Sequence, residues 1–179
     1  MDFRKYIYEL NNRYDAVDSE HLPTIVLHID SCGGDVFAMF GIINLMKISI
    51  LNIVTFVPTY AYSAAALIFA SGDHRIASPD ALIMFHDMSV DLYGKYGSEV
   101  VPYVEQCNKL SKRFVNILDS KTALPDELKT KLTNGSDIYL DSDEMLQFKV
   151  ADQIGIYCGK DDMIYVGEEQ PTTEETKQQ

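Results

Sequence analysis

Apolar residues in the first half of the chain follow two spacings, one typical of strands and one typical of helices. Continuous apolar runs at 24–29 and 52–57 predict two buried strands, because a strand covered on both faces has no polar side. Apolar residues three and four positions apart predict an amphipathic helix over 2–17, a second that begins at Val36 and a third over 63–72. This alternation of strands and helices indicates an α/β fold with a mostly parallel sheet and flanking helices.

The second half of the chain contains shorter strands and a long helix. Two more strands are predicted at 74–78 and 81–86, and apolar steps of three and four residues predict a long helix over about 97–119. A short β-prone segment at 137–140 precedes a helix whose start is marked by Asp141 and by a glutamate three residues later. These elements extend the same α/β pattern to the end of the predicted core.

The periodic pattern stops near residue 158, which divides the chain into two parts. We expect one folded domain over residues 1–158 and an acidic C-terminal tail over 159–179. The tail is predicted to be disordered from about Glu168, because it has too few apolar residues to form a packed core.

Composition narrows the classes of function. A length of 179 residues suits one domain with a sizeable core. The formal net charge of −12 argues against a nucleic-acid-binding surface, which needs clustered Lys and Arg. No apolar run reaches the roughly 18 residues of a membrane span, and the N-terminus has no apolar signal-peptide region. Three cysteines without a CxxC pair fit a reducing compartment. We therefore expect a cytoplasmic protein with no nucleic-acid or membrane partner.

Residues that can perform chemistry lie next to the predicted strands. Gly33 and Gly34 follow the first strand, Ser63 follows the second, and His86 ends a later one. Asp137 begins the short β-prone segment. Parallel sheets place their sites at the carboxyl ends of the strands. A serine, a histidine, an aspartate and free backbone amides are the groups that acyl transfer requires.

Each of these residues also has an ordinary structural interpretation. A serine that opens a helix is usually an N-cap, and a histidine that ends a strand is usually hydrogen-bonded in a turn. A glycine pair after a strand usually forms a turn. The order of these residues and their placement at strand ends favour the catalytic interpretation over three independent structural ones.

Three motifs resemble, in the same order, motifs of the Clp protease proteolytic subunit family. They are "HIDSCGGDVFA", "YAYSAAALIFASGDHRIASPDALIMFHDMS" and "SDIYLDSDEMLQFKVADQIG". The resemblance covers residues 24 to 157 and is strongest to phage-type members, some of which are head maturation proteases.

Position by position, the resemblance implies a serine endopeptidase that cleaves peptide bonds through an acyl-enzyme. Ser63 is the expected nucleophile, His86 the general base and Asp137 the acid that orients the histidine. The backbone amides of Gly34 and Ala64 are the expected oxyanion hole. No metal and no organic cofactor is implied.

The resemblance also implies an architecture and partners. The fold would be that of the Clp protease/crotonase-like superfamily, with helix 97–119 making the contact between stacked homo-oligomeric rings. Polypeptides would be the substrates, and a Clp-type ATPase unfoldase would be a partner. Because the chain begins at its first helix, where family members carry an N-terminal segment, we expect a permissive entrance to the chamber.

Three residues differ from the family pattern, and a fourth is a second candidate for the acid that orients the histidine. Cys32 stands where a proline is usual, and Tyr60 and Tyr62 stand where small residues are usual, so a tyrosine is expected to narrow the pocket. Asp87 follows His86 directly, but adjacent residues of a strand face opposite ways, so Asp137 is the preferred acid.

Several alternatives stay open. The protein could be a head maturation protease of the same type, or a catalytically silent ring subunit. A Ser–Lys peptidase would need Lys47 or Lys95 directed at Ser63. A crotonase-like acyl-CoA enzyme would use paired oxyanion amides without needing the serine, the histidine and the aspartate together.

Overall fold

Two β-sheets and the helices that cover them make up the described part of the computed structural model, residues 3–157 and 164–165. The strands are β1 (Ile25–His28), β2 (Ile53–Val57), β3 (Tyr60–Tyr62), β4 (His74–Ala77), β5 (Leu82–Phe85), β6 (Ile138–Leu140), β7 (Gln153–Ile156) and β8 (Ile164–Tyr165). The α-helices are α1 (Phe3–Tyr14), α2 (Val36–Ile48), α3 (Ala64–Ala70), α4 (Val101–Lys121), α5 (Asp126–Thr133) and α6 (Ser142–Gln147). A 3₁₀ turn occupies Ser19–His21, and a π-helical turn, Tyr96–Val100, leads into α4.

The larger sheet has the strand order β1-β2-β4-β7-β8, and its first four strands are parallel. The smaller sheet has the order β3-β5-β6, with β3 parallel to β5 and β6 antiparallel to it. The predicted α/β class with a mostly parallel sheet is therefore confirmed. The division into two sheets was not predicted, because the three residues of β3 follow Pro58 and are too short to show a strand period.

Helix α3 lies at the centre of the core. Six of its seven residues are buried, among them three consecutive alanines. These small side chains let α3 approach its neighbours closely, and the larger Leu67 and Phe69 fill the space that remains. Residues of both sheets belong to the same buried cluster, including Val57 and Phe85. The residue before α3 therefore precedes a helix that is almost wholly buried in the core.

The predicted elements are present, with shifted ends. The first helix ends at Tyr14 rather than at residue 17, and the long helix covers Val101–Lys121 rather than 97–119. A proline in the first turn of α4 fits this later start, since proline is favoured at that position. The predicted start of α6 is confirmed by a complete capping box between Asp141 and Glu144.

Strand β8 was not predicted and lies in the segment taken as an acidic tail. It pairs antiparallel with β7, which has β4 on its other side, so it extends the larger sheet by one short strand. The disorder predicted from about Glu168 lies outside the described residues. Within the described residues, no helix has both the length and the apolar character needed to cross a membrane.

Candidate active site

Ser63 connects β3 to α3 with an unusual backbone conformation. Its φ of 57° and ψ of −125° lie in a region that residues with a side chain rarely adopt. Its backbone N–H donates to the carbonyl of Met84 on β5 over 2.8 Å, which fixes the turn. Ser63 occupies the N-cap position, but its hydroxyl makes no capping hydrogen bond. The ordinary N-cap role therefore does not account for this side chain.

Gly33 packs directly against this turn. A Cβ added at Gly33 would lie 2.6 Å from the carbonyl oxygen of Tyr62 and 2.9 Å from the Cβ of Ser63. The φ of Gly33 is also +94°, a conformation that favours glycine. The absence of a side chain here lets the loop after β1 support the Ser63 turn.

His86 lies next to the Ser63 hydroxyl. It follows β5 directly, and the parallel pairing of β3 with β5 brings the ends of both strands to the same edge of the smaller sheet. Nε2 of His86 is 2.6 Å from Oγ of Ser63, so the hydroxyl can donate to the imidazole when Nε2 carries no proton. The structure thus brings together the serine and the histidine that the sequence predicts.

Asp137 is close to this pair in register but does not contact it. It immediately precedes β6, and the last antiparallel partners are Phe85 and Ile138. Continuing the register by one residue places Asp137 opposite His86, where cross-strand neighbours lie on the same face. Asp137 is exposed, and within the described residues its carboxylate has neither a hydrogen bond nor an ion pair. The third predicted group is therefore placed near the histidine without being joined to it.

The N–H groups of Gly34 and Ala64, the two predicted oxyanion amides, have no acceptor among the described residues. Among the described residues, neither the N–H of Gly34 nor that of Ala64 donates a backbone hydrogen bond. Gly34, Ala64 and Ser63 line one cavity, so these donors and the nucleophile candidate face a shared space. Free amides beside a serine hydroxyl are suited to stabilising a negatively charged oxygen.

The cavity beside Ser63 has a volume of about 330 Å³ and mostly apolar walls. The lining residues are Cys32, Gly34, Val36, Met39, Phe40, Tyr62, Ser63, Ala64, Met84, His86, Asp87, Met88, Ser89, Leu110, Ser111 and Phe114. Of the two tyrosines expected to narrow the pocket, Tyr62 lines it and Tyr60 does not. A larger cavity of about 450 Å³ lies between α1 and α2, but it contains none of the predicted site residues.

Asp87 and Ser111 are cavity residues whose roles the sequence did not indicate. Strand alternation set Asp87 aside as the orienting acid, but Asp87 and His86, the two residues after β5, line the same cavity. Ser111 comes from α4, far away in sequence, and no local pattern marks it. By contrast, neither Lys47 nor Lys95 lines this cavity.

Comparison with known sequences identifies the family. The family model described as Clp protease matches residues 16–157, more than half of the chain. This chain belongs to the Clp protease family. The matched segment contains Ser63, His86 and Asp137, so the candidate site of this Clp protease family member lies within the shared region.

Curated relatives of this family member are distant. A proteolytic subunit 3 of the ATP-dependent Clp protease from Rhodococcus jostii is 28% identical over 132 residues, which cover 73% of this chain and 64% of the relative. Proteolytic subunit 2 from Borreliella burgdorferi is 31% identical over 120 residues, with coverages of 66% and 60%. A proteolytic subunit from Adiantum capillus-veneris is 26% identical over 132 residues, with coverages of 73% and 66%. The matches span just under two thirds of each relative or less.

Proposed function

We propose that this protein is a serine endopeptidase that hydrolyses polypeptides through an acyl-enzyme. The observation that carries the proposal is the 2.6 Å contact between Oγ of Ser63 and Nε2 of His86. A serine with a purely structural role does not require a positive φ, a hydroxyl that makes no capping bond and an imidazole at hydrogen-bonding distance from it, all together. In a member of the Clp protease family, this combination favours a nucleophile and its base.

The proposed reaction begins when neutral His86 removes the proton from the Ser63 hydroxyl. The serine oxygen attacks the scissile carbonyl, and the amides of Gly34 and Ala64 donate to the oxygen that becomes negative. His86 then gives its proton to the leaving amine, which leaves an ester between Ser63 and the substrate. A water molecule activated by His86 hydrolyses the ester and restores the serine.

Asp137 is the proposed orienting acid of the triad. Its register position opposite His86 supports this role, because a cross-strand neighbour needs only a side-chain rotation to approach the imidazole. An Asp137→Asn variant should bind peptides as before and lose turnover, since an amide cannot stabilise the imidazolium. Separate measurement of kcat and of peptide affinity tests this. A variant that retains its turnover would remove Asp137 from the triad.

The proposed function also includes an oligomeric assembly and an ATPase partner. Relatives are named as subunits of an ATP-dependent protease, which supports homo-oligomeric rings that enclose the site and a Clp-type ATPase unfoldase as partner. Cys32 and Cys107, the cysteines within the described residues, are free thiols. Free thiols support a reducing location such as the cytoplasm.

Two alternatives have specific signatures. A phage head maturation protease would use the same site but cleave a capsid precursor rather than many polypeptides. A catalytically silent ring subunit would assemble without reacting.

The Ser–Lys mechanism has less support, because a histidine rather than a lysine occupies the position beside the Ser63 hydroxyl. An acyl-CoA enzyme also has less support, because none of the described residues that line the cavity is a Lys or Arg that could bind phosphates.

The deciding experiment combines an active-site probe with peptide cleavage. A fluorophosphonate should label the wild-type protein at Ser63, and Ser63→Ala should lose both labelling and hydrolysis. Losing a catalytic serine costs on the order of 10⁶ in kcat, a magnitude measured in subtilisin. Ser78→Ala serves as the matched control, because Ser78 follows β4 and does not line the cavity. Hydrolysis by Ser63→Ala would overturn the mechanism, and an unreactive wild-type oligomer would support the silent-subunit alternative.

A further inference from the structure

Among the described residues that line the mostly apolar cavity beside Ser63, Asp87 is the one that carries a carboxylate. Asp87 follows His86 directly and lines the cavity together with Met39, Phe40 and Phe114. No Lys or Arg lines the cavity within the part of the chain that the structure describes. A negative charge without a cationic partner therefore borders the space into which a substrate side chain would project.

The Asp87 carboxylate is held in place from two sides. Its Oδ1 accepts a hydrogen bond of 2.8 Å from the backbone N–H of Met88 and another of 2.8 Å from the hydroxyl of Ser111 on α4. Its Oδ2 has no hydrogen-bond partner within the described residues. One oxygen thus fixes the orientation of the group, and the other is available to a ligand.

A second cavity next to this one is also lined by an aspartate. A neighbouring cavity of about 210 Å³ shares Gly34, Met88 and Leu110 with the first one and is also lined by Asp35. Among the described residues, no Lys or Arg lines this second cavity either. An extended substrate would pass Asp35, whose Oδ1 accepts a hydrogen bond from the backbone N–H of Ala38 at the start of α2.

We propose that the cavity beside Ser63 binds a lysine or arginine side chain of the substrate, and that Asp87 determines this specificity. The proposal rests on the proposed peptidase function and concerns the P1 residue, whose carbonyl carbon Ser63 would attack. P1 is the natural occupant because it carries the side chain nearest to the ester bond of the acyl-enzyme.

A long cationic side chain satisfies both parts of the cavity. Its methylene stem packs against the methionine, leucine and phenylalanine walls, and its charged end donates to Asp87. A purely apolar side chain would displace water from Asp87 without replacing its hydrogen bonds, which is unfavourable. An acidic side chain would be repelled.

The test compares peptides that differ only at P1, which is lysine, norleucine or glutamate. Norleucine keeps the methylene stem of lysine and lacks the charge, so the ratio of kcat/KM for lysine over norleucine isolates the cationic contact. This ratio should exceed 1 in the wild type and fall about tenfold in Asp87→Asn, the size that a charge-assisted hydrogen bond supports. Because both peptides use the same catalytic groups, any effect of the variant on His86 cancels in the ratio.

Two further variants separate the local contact from general charge and folding effects. Asp91→Asn changes the net charge equally in the same loop, but Asp91 does not line the cavity, so the ratio should stay at the wild-type value. Ser111→Ala removes a hydrogen bond that orients Asp87 and should lower the ratio by a smaller factor. If Asp87→Asn fails to fold, two other measurements test the contact. The lysine-to-norleucine ratio of kcat/KM should be lower in Ser111→Ala than in the wild type. In the wild type, the same ratio should fall as the salt concentration rises, because salt screens the attraction between the lysine and Asp87.

Peptide binding to Ser63→Ala distinguishes failure of this proposal from failure of the proposed function. The Kd of peptides ending in lysine or norleucine is measured on Ser63→Ala and on the double variant with Asp87→Asn, without any need for turnover. If Ser63→Ala binds the lysine peptide more tightly than the norleucine peptide, and the double variant binds both equally, the specificity is supported. This holds even if the wild type hydrolyses nothing. Equal Kd values for both peptides, or a kcat/KM ratio that Asp87→Asn leaves unchanged, would overturn it.

Discussion

At the residue scale, the unusual feature is the cost of holding Ser63 in its conformation. A residue with a side chain at such φ and ψ values costs about 1–3 kcal/mol. The hydrogen bond from Ser63 N–H to Met84 and the close contact with Gly33 hold the turn in place. The same turn directs the hydroxyl to His86 instead of to the first turn of α3. The strain therefore coincides with the group that is proposed to react.

Gly33→Ala should distort the site because of this contact. The added Cβ would meet backbone atoms, which cannot give way as a flexible side chain can, at a φ that alanine rarely adopts. We expect a loss of about 1–3 kcal/mol in the free energy of unfolding, together with weaker fluorophosphonate labelling of Ser63. Urea denaturation and labelling rates measure the two effects.

Gly41→Ala is the control with the opposite expected sign. Gly41 lies inside α2, and a Cβ there would meet nothing within 4 Å. Alanine in a helix interior should stabilise the protein by about 0.5–1 kcal/mol and leave labelling unchanged. Equal behaviour of the two variants would contradict the supporting role assigned to Gly33.

At the element scale, one arginine connects three parts of the fold. Arg75 on β4 is buried, pairs with Asp152 just before β7 and donates to the backbone carbonyl of Lys121 at the end of α4. The backbone N–H of Arg75 also donates to Asp152 over 2.9 Å. The larger sheet is thereby joined to α4, the helix that contributes Ser111 and Leu110 to the cavity.

Asp152→Asn should destabilise the fold by about 1–3 kcal/mol at pH 7, because the buried arginine would lose its anionic partner while solvent screens the partly exposed carboxylate. Partial burial raises the pKa of the Asp152 carboxyl, but the hydrogen bonds and charge of Arg75 outweigh it and hold the pKa below its ordinary value. The ionised carboxylate therefore stabilises the folded state above the unfolded pKa of about 3.9, and this contribution is lost as the pH falls through the folded value.

Denaturation of Asp152→Asn and of the wild type at several pH values tests this. The difference in unfolding free energy should be constant from pH 7 to about 5 and should shrink below about pH 4. Asp91→Asn, at an exposed position, should match the wild type throughout. A difference that persists undiminished at the lowest pH would show that the ion pair is not its cause.

At the scale of the whole molecule, the exposed apolar residues near the start of α4 are the candidate assembly surface. Leu110 and Phe114 line the cavity beside Ser63, so this part of the helix surface faces inward. Tyr93 and Tyr96 are 90% and 79% exposed, and Tyr103 and Val104 on α4 are also exposed. Large exposed aromatic residues grouped in this way are typical of protein interfaces.

Tyr96→Glu should weaken the proposed assembly into rings, because it places a charge in this apolar surface. The fold should remain, since substitutions at exposed positions usually change stability by less than about 0.5 kcal/mol. Asn116→Glu adds the same charge to an exposed position of α4 about five turns away and should assemble as the wild type does. Native mass spectrometry gives the assembly state, and peptide cleavage is measured on the same samples. An unchanged oligomer in Tyr96→Glu would exclude this surface from the interface.

The periodic elements could be predicted from the sequence because each depends on neighbouring residues. The helical spacing of α2 and α4, the apolar strands β1 and β2 and the cap of α6 all depend on side chains a few positions apart. Ser63 and His86 could be predicted because each lies at the end of such an element, inside a motif with a recognisable order. The pairing of β7 with β8 left no comparable local signal, since two residues are too few to show a period.

Interactions between distant segments were decided only by the tertiary structure. The amino-acid order alone determined the α/β class and the residue types at the strand ends. Packing decided that β3 and β5 form a second sheet, that Asp137 lies opposite His86 without contacting it, and that Asp87 turns into the cavity. The physical reason is that these arrangements depend on strand register and on where a strand ends. Both are set by contacts between residues far apart in the chain, which no local pattern records.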